Sequence, residues 1–196
     1  IRILNAGHQV LANVGEVLGI ETISATMAHP AIRAMFHRVQ AEEITQTVAP
    51  VPGMTPLAYL ELIEQRFSNP RIVDTTRRVA FDGSARHTGF VLPILRDQLA
   101  AGRSVSGLGL VEALWARMCE GTREDGSTID ANDPCWENLV TVAKTAKKTP
   151  QAWLDQYQLY DELGQKERFS NSFAKWLCMI WSDGTEATLR SYLGTD

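Results

Sequence analysis

At 196 residues, with 44% hydrophobic and 21% charged residues, the chain has the size and composition of one compact domain with its own core. Its net charge of −4 excludes a general nucleic-acid binder, which needs a basic face. No apolar run approaches the roughly 20 residues of a membrane span, and Cys119, Cys135 and Cys178 form no CxxC pair, so reduced thiols in a cytoplasmic protein are expected.

Helical patterns follow one another along the chain. Leu4, Val10, Leu11, Val14, Val17 and Leu18 recur at the three-to-four spacing of one helix face, predicting a first helix from the start of the chain. Pro30 opens a second, with Ile32, Met35, Phe36 and Val39 on one stripe. Thr55 followed by Pro56 is a cap and first-turn pair, so LAYLELIEQRF continues as a helix. Asn69-Pro70 or Asp74 starts a short helix through RRVAF. Ser84 is positioned to cap SARHTGFVLPILRDQLAAG, and Pro93 implies a kink or break within it. GLVEALWARMCEG, DPCWENLVTVAKTAKK, TPQAWLDQY, KERFSNSFAKWLCMIW and TEATLRSYL keep the same period.

No run alternates as a half-buried strand does, and Gly, Pro, Asp and Ser gather in VAPVPGMT, AAGRSVSG and GTREDGSTIDAND, which read as loops. The expectation is an all-α, multi-helical single domain over residues 1–196, with roughly nine or ten helices packed on one another.

GLGLVEAL places Gly-x-Gly beside a helix, but neither a preceding buried strand nor a third glycine accompanies it, so a plain helix start is the better reading. His29 and His37 stand near Glu42 and Glu43 without any metal-ligand spacing and read as surface or capping histidines. No GxSxG elbow supports a hydrolase triad.

Asn5 and His8, at i and i+3, share one side of the first helix. An amide donor and an imidazole converging on a hydroxyl or carbonyl oxygen could stabilise developing negative charge. By spacing alone, a cap or a buried hydrogen-bonded pair is the better reading, because Asn-x-x-His is a common pattern on a helix. In RRVAFDGSAR, Arg78, Asp82, Ser84 and Arg86 crowd one turn. Two readings stand side by side there: a capped helix start with solvated arginines, or an arginine rim that grips several oxygens at once.

Taken together, ILNAGHQ and RRVAFDGSAR resemble the C-terminal domain of the polyol-specific long-chain dehydrogenases, the mannitol dehydrogenase family. Asn5 and His8 match the Asn-x-x-His of its lysine-led signature, and Arg78, Asp82 and Ser84 match its Arg-x-x-x-Asp-x-Ser-x-Lys stretch. The resemblance implies a zinc-independent oxidoreductase that interconverts a sugar alcohol and a ketose with NAD or NADP, and no metal. Asn5 and His8 would be catalytic, holding the reacting oxygen, and Arg78 and Arg86 would bind substrate. A uronate reductase of the same family is the alternative, and a non-catalytic helical interaction domain is the rival from another class.

Three departures accompany the match. The signature lysine falls one position before Ile1, and the N-terminal dinucleotide-binding domain is absent from this chain, so the chain is expected to be the C-terminal half of a two-domain enzyme and inactive by itself. Arg86 takes the place of the family's lysine. Phe81 stands where mannitol-active relatives tend to carry histidine. The implied partners are a small polyol, ketose or uronate and the dinucleotide-binding domain, with no nucleic acid and no membrane.

Overall fold

The computed structural model describes residues 1–195. Its helices are α1 (Arg2–Leu18), α2 (Ile23–Ala28), α3 (Pro30–Val39), α4 (Pro56–Phe67), α5 (Thr76–Ala80), α6 (Gly83–Arg86), α7 (Leu92–Ala100), α8 (Ser106–Cys119), α9 (Trp136–Ala146), α10 (Gln151–Leu154), α11 (Tyr157–Tyr160), α12 (Glu167–Asp183) and α13 (Thr185–Leu193). Wider π turns cover Gln40–Ile44 and His87–Val91, and 3-10 turns cover Thr45–Thr47 and Asp161–Gln165. Among the described residues the only β pairings are three isolated bridges, Thr22 with Thr75, Val51 with Met54 and Thr122 with Thr128. The all-helical expectation is met. Nine helices run six residues or longer, and the remaining four are single turns that hydrophobic periodicity is too coarse to resolve.

Local chemistry sets the helix ends. α1 stops at Gly19, whose φ of 69° turns the chain left-handed, while Ile20 N donates back to the Gly15 carbonyl and closes the last turn. Thr22, Thr55 and Thr75 cap α2, α4 and α5 by accepting from the amides of Ala25, Ala58 and Arg78, each at 3.1 Å. The start of α5 is therefore corrected from Asn69-Pro70 or Asp74 to the turn capped by Thr75.

The long element from Ser84 to Ala100 also differs from its expectation. Ser84 does not cap it. Asp82 precedes it in the left-handed region at φ 58°, and Asp133, from a distant loop, takes both the Ser84 amide (2.7 Å) and its hydroxyl (2.9 Å). Pro93 does mark a break, since the π turn at His87–Val91 gives way there to α7, where the ring sits in the first turn and needs no amide partner.

α8 is buried along almost its whole length and packs between α1 and α12. Trp115 lies on the His87 ring with centroids 4.1 Å apart and meets Trp153 edge-on at 5.1 Å, while Phe169 and Phe173 fill the α12 side. Burying each such side chain contributes roughly 1.5–3 kcal/mol. Through this core runs one polar chain. Asn13 Nδ2 donates to His87 Nε2 (3.0 Å), His87 Nδ1 donates to Glu112 (2.6 Å), Tyr160 donates to the other Glu112 oxygen (2.6 Å), and Trp153 Nε1 donates to Tyr160 (2.7 Å). Each of these links satisfies groups that would otherwise be buried at a cost. Burial and the Glu112 charge hold the Tyr160 hydroxyl well above its ordinary range.

No helix among the described residues is long and apolar enough to cross a membrane. Cys119 is buried, and Cys135 and Cys178 are exposed and unpaired.

Candidate functional site

α1 carries Asn5 and His8, and α5 is drawn against it by complementary small and polar groups. Gly15 leaves room for α5: a Cβ there would lie 2.5 Å from Thr76 Cγ2 and 2.8 Å from Thr26 Cγ2. The Thr76 hydroxyl then donates to the Ile20 carbonyl (2.8 Å), and Gln9 Nε2 donates to the Val79 carbonyl (3.2 Å). At the other end, Gly7 lets α1 approach the π turn after α3, because a Cβ there would collide with the side-chain amide of Gln40. Gln40 itself donates to the Ile3 carbonyl at 2.8 Å. Gly7, between Asn5 and His8, is thus a packing requirement of the helix that presents them.

Other polar side chains of α1 are used internally: Arg2 bonds Asp97, Gln9 bonds Val79 and Asn13 bonds His87. The half-buried side chains of Asn5 and His8 form no hydrogen bond among the described residues. The His8 ring stacks on Phe67 of α4, with centroids 4.5 Å apart. Burial pushes its pKa from 6.5 down to about 4. Asp74 opposes that shift, and Arg78, Arg86 and Arg66 reinforce it. His8 is therefore neutral at pH 7, with one nitrogen able to donate and the other able to accept.

Arg78 and Arg86 line a common cavity of about 550 Å³ with Thr75, Arg77, Phe81 and Asn132. Asn5 and His8 are not in its lining. His8 feels the charges at its rim, and Asn5 lies on α1 one turn before His8. The structure thus brings His8, Arg78 and Arg86 into one neighbourhood. Arg78 is also gripped by Asp74, which accepts from Nε (2.7 Å) and Nη2 (2.5 Å).

The loop before α9 supports the turn that bears these arginines. Arg77 donates to the carbonyls of Asp130 and Ala131, the Asp82 amide donates to the Asn132 carbonyl, and Asp133 takes Ser84. Asn132 is 3% exposed, and neither polar atom of its side-chain amide has a partner. Sequence reasoning missed Asp74 and Asn132. The only signal for the first was its position four residues before Arg78, and no local pattern marks the second.

The remaining sequence candidates resolve simply. Gly107 and Leu108 donate their amides to the buried Glu43 carboxylate, each at 2.8 Å, so the start of α8 is filled by the protein's own anion. That glycine pair is therefore a helix start closed by Glu43, as the sequence reading expected. His37 is exposed and pairs with Glu64, while His29 stands between α2 and α3 at a cap position. No group of three or more His, Cys, Asp or Glu among the described residues could hold a metal ion. A larger cavity, about 800 Å³, is lined by Arg96, Leu99, Tyr157, Asp161, Lys166 and neighbouring residues, and contains none of the predicted site residues.

The model of the mannitol dehydrogenase C-terminal domain matches residues 1–181. The chain belongs to that family. It is 48% identical over 193 residues to mannitol 2-dehydrogenase of Cereibacter sphaeroides, covering 98% of this chain and 40% of that protein. It is 28% identical to mannitol 2-dehydrogenase of Pyricularia oryzae, with 98% and 39% covered. Among solved structures it superposes on Pseudomonas fluorescens mannitol 2-dehydrogenase, in a ternary complex with NAD and D-mannitol, with a TM-score of 0.93 at 27% identity. That match covers 99% of this chain and 40% of the other. This member of the mannitol dehydrogenase C-terminal domain family thus spans about 40% of the length of the relatives it matches.

Proposed function

We propose that this chain is the substrate-binding and catalytic C-terminal domain of an NAD(P)-dependent polyol dehydrogenase that interconverts a mannitol-like sugar alcohol and a ketose. One observation carries the reading: a neutral imidazole with no internal hydrogen bond, His8, stands beside Asn5 and within the charge field of two arginines that line one cavity. A structural pair would have found partners in the core, as Gln9 and Asn13 do on the same helix. That contrast supports catalysis over a non-catalytic helical interaction domain.

In this reading Asn5 donates its amide N–H to the reacting oxygen and neutral His8 shares a hydrogen bond with it. Together they hold the alcohol oriented and stabilise the negative charge that grows on its oxygen as its proton passes to the lysine that leads the family signature. Each preorganised donor of this kind contributes on the order of 100- to 1,000-fold to the rate. Arg78 and Arg86 bind hydroxyls further along the substrate through their planar forks. A nicotinamide dinucleotide, when bound, exchanges the hydride. It is held outside this chain, by a separate dinucleotide-binding domain in cytoplasmic two-domain enzymes of this design, and no metal takes part.

A second reading, reduction of a uronate, is favoured by one feature. The cavity is lined by Arg77, Arg78 and Arg86 and by no carboxylate, which suits a terminal acid group. The test uses the full-length protein containing this chain, with turnover followed at the nicotinamide absorbance. Mannitol and fructose should give the highest kcat/KM. Higher values with mannonate and fructuronate select the second reading, and no turnover with either pair overturns both. The chain by itself should turn over neither pair.

A further inference from the structure

Arg78 projects from the short, five-residue helix α5 with 68% of its side chain exposed, so packing alone does not hold it. A free arginine at such a place would spread over several rotamers and would lose that freedom on each binding event. Asp74 removes the problem. Its carboxylate meets the guanidinium edge-on, taking Nε–H at 2.7 Å and one Nη2–H at 2.5 Å, the fork-to-fork geometry of the stronger charged pairs. Both Nη1–H groups and the second Nη2–H stay free for a ligand.

This pair differs from the other arginine–carboxylate pairs spaced four residues apart in the chain. In Arg38–Glu42 and Arg190–Glu186 the carboxylate side chains are 59% and 49% exposed, whereas that of Asp74 is 16% exposed. The Asp74 backbone is also anchored, because its carbonyl accepts from Ile23 N at 2.9 Å and the next residue, Thr75, pairs with Thr22. A mostly buried carboxylate on an anchored backbone is thus presented to an exposed guanidinium. The same carboxylate is the charge that opposes the arginines around His8.

We propose that Asp74 is a positioning residue of the site: it locks the Arg78 guanidinium in one orientation, so that the unused donors of Arg78 face the cavity shared with Arg86 and receive the distal hydroxyls of the substrate. The proposal rests on the polyol dehydrogenase reading. Asp74 itself does not contact substrate. Its effect passes through Arg78, and that route is what an experiment can isolate.

The experiment compares wild type, Asp74→Asn, Asp74→Glu, Arg78→Lys and Asp74→Asn/Arg78→Lys in the full-length protein, with mannitol as the varied substrate. Asp74→Asn should raise KM on the order of tenfold while kcat changes by less than about threefold, since a lost charged bond to a binding group weakens ground-state and transition-state binding together. Asp74→Glu keeps the charge and should recover part of the KM. A lysine cannot make the fork, so in the Arg78→Lys background Asp74→Asn should raise KM by less than about twofold. An equal effect of Asp74→Asn in both backgrounds, or an unchanged KM, overturns the clamp. If Asp74→Asn does not fold, Asp74→Glu against Arg78→Lys carries the same non-additivity test. Wild type that turns over no polyol overturns the clamp together with the reading beneath it, whereas active wild type matched by Asp74→Asn overturns the clamp alone.

Discussion

Gln9 Nε2 donates to the carbonyl oxygen of Val79 at 3.2 Å, and this buried bond, with that from Thr76 to Glu16, ties the helix that carries His8 to the helix that carries Arg78. Gln9 and Val79 are each the immediate neighbour in sequence of a candidate site residue. The spacing between the imidazole and the arginine is therefore set one residue away from both.

Gln9→Leu should separate stability from geometry. Removing the donor leaves the Val79 carbonyl unpaired in the core, a loss on the order of 1–3 kcal/mol. Urea unfolding should show that loss. Steady-state kinetics of the full-length protein should show kcat/KM for mannitol falling about tenfold, because small misplacements of positioned groups are costly. A variant with reduced stability and unchanged kcat/KM would show that the bond holds the fold and not the site.

The pH dependence of folding follows from His8. Its folded pKa is about 4 and its ordinary value 6.5, so between those values the unfolded chain binds a proton that the folded chain refuses. Stability from this group is complete above pH 6.5 and falls as pH drops toward 4, by on the order of 2 kcal/mol given the partial exposure of the ring. The groups that set this are the Phe67 face, Asp74, Arg78, Arg86 and Arg66. His8→Gln removes the titrating group, so the difference in unfolding free energy between pH 7 and pH 4.5 should shrink by that amount relative to wild type. An identical pH response in both proteins would refute it.

How much of this was visible in the sequence depends on where each partner lies. Asn5 and His8 are legible because their spacing is local and helical. Thr55 and Thr75 act on amides three residues ahead, within reach of a local rule, yet only Thr55 was read so, the start of α5 having been placed at Asn69-Pro70 or Asp74. Ser84 was misread because its true partner, Asp133, lies 49 residues away. Asp74 was read only as a candidate helix start, because its sequence position does not show the burial that sets its bond to Arg78 apart. Its backbone is anchored through Ile23, and that of Thr75 through Thr22, both on another segment.

Glu112 was equally invisible, since a glutamate in GLVEALW reads as the polar edge of an amphipathic helix. In the fold it is fully buried and takes hydrogen bonds from His87 and Tyr160, each at 2.6 Å. Glu112→Ala should cost about 3 kcal/mol or more, because it strands two buried donors. Glu112→Gln should cost less, as one carbonyl acceptor survives. Calorimetric Tm values in the order wild type, Glu112→Gln, Glu112→Ala are expected, and a variant Tm at or above wild type would contradict the account.

Gly15→Ala tests the close approach of α5. The new methyl would press on Thr76 Cγ2 and Thr26 Cγ2, at a cost of about 1–3 kcal/mol. Thr76→Ser keeps the hydroxyl bonded to Ile20 and removes one of the two methyls, so the double variant should recover part of the loss. No recovery in urea unfolding would place the strain elsewhere.

Glu43 gives the start of α8 a wider meaning. The glycine pair at Gly107 and Gly109 has the look of a nucleotide loop, yet the amides of Gly107 and Leu108 are spoken for by a carboxylate 64 residues upstream of Gly107. Pattern searches score the glycines and are blind to the acid that answers them. Grafting phosphate recognition onto this helix would therefore begin with a deletion at Glu43, well before any glycine was added.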